Sequence, residues 1–108
     1  MANTYTDEQK ATLLKMLEFN LSLIFDFMDA QSKTEKEEQL MFYIDSSIKF
    51  IEIEGINIDY EDIGDLQIIT MYAAYLYDKR NDGVSVMPRA LRYAMNIRVL
   101  QQKVNENA

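Results

Sequence analysis

The chain has 108 residues, no cysteine and no histidine, 48% hydrophobic and 27% charged residues, and a net charge of −7. That length and balance describe one packed globular domain rather than a disordered segment. Without His or Cys there is no Ser–His or Cys–His nucleophile pair, no disulfide, and no zinc site built on imidazole or thiolate. No apolar run approaches bilayer length and no basic-then-apolar leader precedes Thr6, so a soluble protein made in the cytoplasm is expected.

Thr6 and Gln9 have the spacing of a capping box, which opens a first helix. Leu14, Leu17, Leu21, Ile24 and Met28 follow at alternating three and four residues, an amphipathic stripe. From Leu21 a period of two (Leu21, Leu23, Phe25, Phe27) competes with it. The segment Leu21 to Asp29 therefore stays open between helix and extended chain, with a polar linker reaching Lys33. Thr34 and Glu37 form a second capping box. The helix it opens carries Leu40, Ile44, Ile48 and Ile51 on one face, and Gly55 sits where a left-handed C-terminal residue belongs.

Ile56, Ile58 and Tyr60 alternate with polar residues and predict a short extended link. Asp59 or Asp62 can cap the third helix, which is expected to run to about Arg80. Leu66, Ile69, Ala73 and Leu76 form one stripe on it, and Ile68, Tyr72 and Tyr75 a second. An apolar arc this wide marks the central helix. Asn81, Asp82 and Gly83 signal a turn, and Pro88 fits the first position of helix four. Ala90, Tyr93, Ile97, Leu100 and Val104 then keep a regular three–four repeat. The expected fold is all-α, a small bundle of about four helices with short loops and at most one short extended segment, forming one domain over residues 1–108. Its expected core holds Leu17, Leu40, Ile44, Ile48, Leu66, Ile69, Ala73, Leu76 and Ile97.

Chemistry-bearing motifs are few. The acidic stretch from Asp59 to Asp65 places Gly64 at the sixth position of a calcium loop, but Ile63 and Thr70 occupy ligand positions. It reads as an acidic helix N-terminus. The three glycines are too scattered for a phosphate loop. No catalytic residue, cofactor or metal site is expected.

Charge is the more informative signal. Up to Thr70 the chain has fifteen Asp/Glu and five Lys, a net of −10; from Met71 it has six Lys/Arg against three acids, a net of +3. Lys79 and Arg80 suit the C-terminus of helix three, whereas Arg89 and Arg92 oppose the dipole at the start of helix four. An exposed charge so placed costs about 0.3–1 kcal/mol. Three sources of compensation are open: Asp78 or Asp82 across the turn, an acidic surface on another chain, or a phosphate. Tyr72, Tyr75, Tyr77 and Tyr93 suit a core margin with the hydroxyl in water, or an inter-subunit contact.

The apolar helix ending in Tyr77, Asp78, Lys79 and Arg80, the Gly-containing loop, then Met87-Pro-Arg-Ala-Leu-Arg-Tyr93 and its amphipathic tail resemble the head–tail connector (head-completion or adaptor) family of tailed bacteriophages. The resemblance is clearest from Ile68 to Lys103 and extends weakly to Glu35–Gly55. It implies a non-catalytic virion protein, made in the host bacterial cytoplasm and placed at the head–tail interface. It further implies a homo-oligomeric ring matching the portal symmetry. The portal protein lies on one side of such a ring, a stopper or tail-completion protein on the other, and DNA passes through without sequence-specific binding or any membrane partner.

On that reading Arg80, Arg89, Arg92, Tyr75, Tyr77 and Tyr93 are the candidate subunit or portal contacts, with Glu52, Glu54, Glu61 or Asp62 of an adjoining chain as acidic partners. Two other classes compete. One is a small cytoplasmic adaptor that binds a partner helix through its apolar surface; the other is an enzyme resting on carboxylates and tyrosines.

Overall fold

The computed structural model describes residues 4–22, 29–82 and 86–106. Four helices account for nearly all of them, and no strand occurs among the described residues. The small all-α bundle expected from the sequence is therefore the fold.

Helix α1 spans Asp7–Asn20 and starts as its sequence predicts. The Gln9 amide donates to the Thr6 hydroxyl at 3.2 Å, and the Gln9 side chain accepts from the Thr6 amide at 2.7 Å. Leu13, Leu14 and Leu17 are buried, and Leu21 is half-buried. Leu21 and Ser22 form a turn, Ser22 with a φ of 56°. Ile24, Met28 and the question of helix or strand beyond Ser22 fall outside the described residues.

Helix α2, Ala30–Ile53, begins earlier than the capping box at Thr34 predicts. Asp29 is the cap. Its carboxylate accepts from the Ser32 amide at 2.7 Å, and this bond draws its pKa below the ordinary Asp value. Thr34 lies inside the helix, its hydroxyl donating to the Ala30 carbonyl at 2.9 Å. At the other end Gly55 has a φ of +96°, the left-handed geometry that favours glycine. Ile56, Ile58 and Tyr60 then alternate inward without forming a strand, while Asn57, Asp59 and Glu61 face outward.

Helix α3, Ile63–Asp82, touches all three other helices, as its wide apolar arc predicts. The Asp62 carboxylate accepts from the Gly64 amide at 2.9 Å and serves as its cap. Leu66, Ile68, Ile69, Tyr72 and Ala73 are buried, whereas Leu76 is only half-buried. Ser47 of α2 is fully buried against this helix. Its small side chain permits close approach, and its hydroxyl donates to the Ile44 carbonyl at 2.8 Å. Leu13, Leu17, Leu40, Ile44, Ile51 and Ile69 make the centre of the core.

Helix α4, Arg89–Glu106, starts one residue after Pro88, whose carbonyl accepts from the Arg92 amide at 3.1 Å. It departs most from expectation. Leu91 and Met95 are its buried residues, Ile97 is half-buried, and the repeat of Tyr93, Leu100 and Val104 faces away from the bundle. Asn81 and Asp82, expected in the turn, instead close α3, and Gly83 lies outside the described residues.

Candidate interaction surface

Two polar clasps determine which face of α4 turns inward. Asp65, at the start of α3, is buried, yet both carboxylate oxygens are satisfied. One accepts from Arg98 Nε at 2.7 Å, and the other from Arg98 Nη2 at 3.1 Å and from the Asp59 amide at 2.8 Å. Arg98 also donates to the Asn57 carbonyl at 3.0 Å. One turn further on, Gln102 donates to the Gly55 carbonyl at 2.8 Å and accepts from the Asn57 amide at 2.8 Å. The irregular link after α2 thus has its free backbone groups satisfied by two α4 side chains. Asp65 is thus paired with Arg98, and among the described residues no cluster of three potential metal ligands occurs.

The six residues expected to form one contact surface separate into three groups. Arg92 forks onto Glu54, at 3.0 Å and 3.4 Å, and this pairing raises its pKa. Of the acids expected across the turn, Asp78 is exposed and makes no ion pair among the described residues, and the Asp82 side chain lies outside those described. Glu54 is accordingly committed within its own chain and is withdrawn as a partner for an adjoining one.

Tyr75, Tyr77 and Arg80 lie on the C-terminal half of α3, and Tyr77 meets α2. Tyr77 is buried, its oxygen accepting from Lys36 Nζ at 2.8 Å, with the Arg80 guanidinium 4.1 Å from its ring centre. The Lys36 hydrogen bond, reinforced by Arg80, lowers its pKa. Tyr43 packs edge-on against it at 5.7 Å. Tyr75 lies half-buried, edge-on to Tyr72 at 5.9 Å and beneath Lys79 at 5.7 Å. Lys36 joins α2 to Tyr77 of α3, whereas Lys79 and Arg80 cap aromatic faces of their own helix.

Arg89 and Tyr93 lie on the outer surface of α4, and the structure adds Leu100 and Val104, which the sequence placed on the three–four repeat of helix four. Tyr93, Leu100 and Val104 are 68%, 62% and 67% exposed. They lie opposite Leu91 and Met95 on the helix, with exposed Arg89, Asn96 and Lys103 along one edge. No Asp or Glu occurs between Arg89 and Lys103, and Arg92 and Arg98 are consumed internally. The outer half of α4 is therefore apolar and basic on a protein of net charge −7. Beside it a groove of about 340 Å³ runs between α3 and α4 over Ile68, Met71, Ala94 and Ile97. A second, of about 490 Å³, lies between α1 and α3 beside Met16, Phe19 and Met71. These surfaces offer apolar contact, hydrogen-bond donors and positive charge, which suits docking of a macromolecule.

No protein-family model, curated protein or solved structure is similar to this chain at a significant level.

Proposed function

We propose that the protein is a head–tail connector, a virion structural protein that assembles as a ring below the portal and extends the DNA channel toward the tail. The observation that carries this reading is the outer half of α4, a row of exposed apolar side chains beside Arg89 and Lys103 with no Asp or Glu between those two residues. Contiguous exposed apolar surface of this kind marks an interaction site. The stretch that resembles the connector family, Ile68 to Lys103, includes this helix from Arg89 to Lys103. An overall negative charge suits a channel wall that DNA passes without adhering.

The test is electron microscopy of the purified protein mixed with DNA-filled, tailless heads that carry a portal. Ring-shaped density added at the portal vertex is the expected outcome. Heads left unchanged at saturating protein would overturn the reading. The α3–α4 groove supports a runner-up, an adaptor holding a partner's amphipathic helix over Ile68 and Ile97. That activity would persist with one monomer bound per partner and no ring.

A further inference from the structure

A second uncovered helix face has the charge that the outer half of α4 lacks. On α2, the side opposite Leu40, Ile44 and Ile51 presents Glu35, Glu38, Asp45 and Glu52 with a single Lys49, and among them the exposed apolar groups Phe42 and Ile53. One face is acidic with apolar points, the other basic with apolar points. The spacings also agree. Arg89 and Lys103 are fourteen residues apart on α4, and Glu38 and Glu52 are fourteen apart on α2, about 21 Å in each case. Tyr93 and Val104 are eleven apart, as are Phe42 and Ile53, about 16 Å.

With the two helices laid parallel, one register satisfies both sets at once. Glu38 meets Arg89, Phe42 meets Tyr93, Glu52 meets Lys103 and Ile53 meets Val104. Asp45 then faces Asn96, and Lys49 can lay its hydrocarbon stem along Leu100.

We infer that the outer face of α4 docks on the acidic outer face of α2 of a second copy of this chain. This deepens the connector reading and rests on it for the requirement that copies stand side by side. The contact uses two different faces, so a pair of copies still offers one free α2 face and one free α4 face. Such a heterologous contact propagates, and closes when the rotation per copy divides the circle. Pairing two α4 faces would instead set Arg89 and Lys103 of both copies along one seam with no acid between them.

The chain has no cysteine, which permits a direct test by directed cross-linking in the full-length protein. Phe42→Cys and Tyr93→Cys alter exposed positions, and circular dichroism verifies that each variant keeps its helices. On oxidation the double variant should give a ladder of dimers, trimers and larger species. An equimolar mixture of the two single variants should give one mixed dimer. Adding Arg89→Glu and Lys103→Glu to the Tyr93→Cys chain should reduce that dimer at least tenfold. Adding Glu38→Lys and Glu52→Lys to its Phe42→Cys partner should restore it.

Preferential dimerisation of the Tyr93→Cys chain with itself, or failure of the exchanged charges to restore cross-linking, overturns the inference. The two proposals fail separately. Ring density at the portal without the ladder leaves the connector and removes the α2–α4 contact. The ladder without binding to portal-bearing heads does the reverse.

Discussion

Arg92 and Arg98 lie six residues apart on α4 and each holds a carboxylate, yet their surroundings give them unequal weight. Arg92 and Glu54 are both substantially exposed, so water and salt screen their attraction. Arg98 is mostly covered and its partner Asp65 almost wholly so. Removing Arg98 leaves a buried carboxylate with only the Asp59 amide, at a cost of about 3–5 kcal/mol. Removing Arg92 should cost about 0.2–1 kcal/mol. Urea denaturation of Arg98→Ala and Arg92→Ala should rank them in that order, and equal losses would contradict the assigned geometry.

Tyr5 sets a pH dependence by the same logic of burial. Its hydroxyl donates to the Asp45 carboxylate at 2.7 Å, and burial, then this bond, pushes its pKa up to about 12 from an ordinary 10.0. The unfolded chain releases that proton near pH 10 while the native state holds it to about 12. Tyr5 therefore contributes stability that is complete below pH 10 and lost as pH rises toward 12. Denaturation midpoints followed across this range should fall less steeply in Tyr5→Phe. Some slope should remain, because burial also raises Tyr60 and Tyr72.

Among the helices, α4 is held differently from the rest. α1, α2 and α3 share a continuous aliphatic core. α4 contributes Leu91 and Met95 to it, worth about 1.5–3 kcal/mol each, packs Ala94 and Val99 against its margin, and is also held by Arg92, Arg98 and Gln102. Contacts so few and so polar define a unit that opens ahead of the global transition. Native-state hydrogen exchange should show α4 amides opening at lower free energy than those of α2 around Ile44. Leu91→Ala should widen that gap, since truncating a fully buried Leu costs about 2–5 kcal/mol. Identical opening energies for the two helices would mean that α4 is part of the central cooperative unit. An edge helix with a modest hold on its own chain is suited to gain order from a neighbour.

The whole molecule is a slab of 51 × 33 × 20 Å, two helix layers through its thin direction. A slab has little interior for its surface, so apolar residues such as Phe19, Phe42, Ile53 and Val104 remain outside. Its charge is divided between an acidic α2 face and a basic α4 face, the arrangement on which the proposed contact between copies rests. Salt should weaken this association, because the screening length shrinks from about 10 Å at 0.1 M to about 3 Å at 1 M. Sedimentation at rising sodium chloride should show smaller assemblies. Assemblies unchanged by salt would assign the contact to the apolar groups alone.

Helix number, the cap at Thr6, the left-handed turn at Gly55 and the buried stripes of α2 and α3 were legible in the sequence, because each depends on spacing within one segment. The start of α2 was not: Asp29 and Thr34 both offer capping groups, and the Asp29–Ser32 bond prevails by letting the helix start a full turn earlier. Helix α4 shows why periodicity alone falls short. It carries two sets of residues at helical spacing, Leu91–Met95–Arg98–Gln102 and Tyr93–Ile97–Leu100–Val104, and the second is the more apolar. Apolar content by itself would bury the second set. The fold buries the first, because Asp65 and the backbone groups of Gly55 and Asn57 need the hydrogen bonds that Arg98 and Gln102 supply. The demands of buried polar groups on other elements decided which face of α4 the protein keeps for itself and which it leaves exposed, and no segment of sequence read alone contains them.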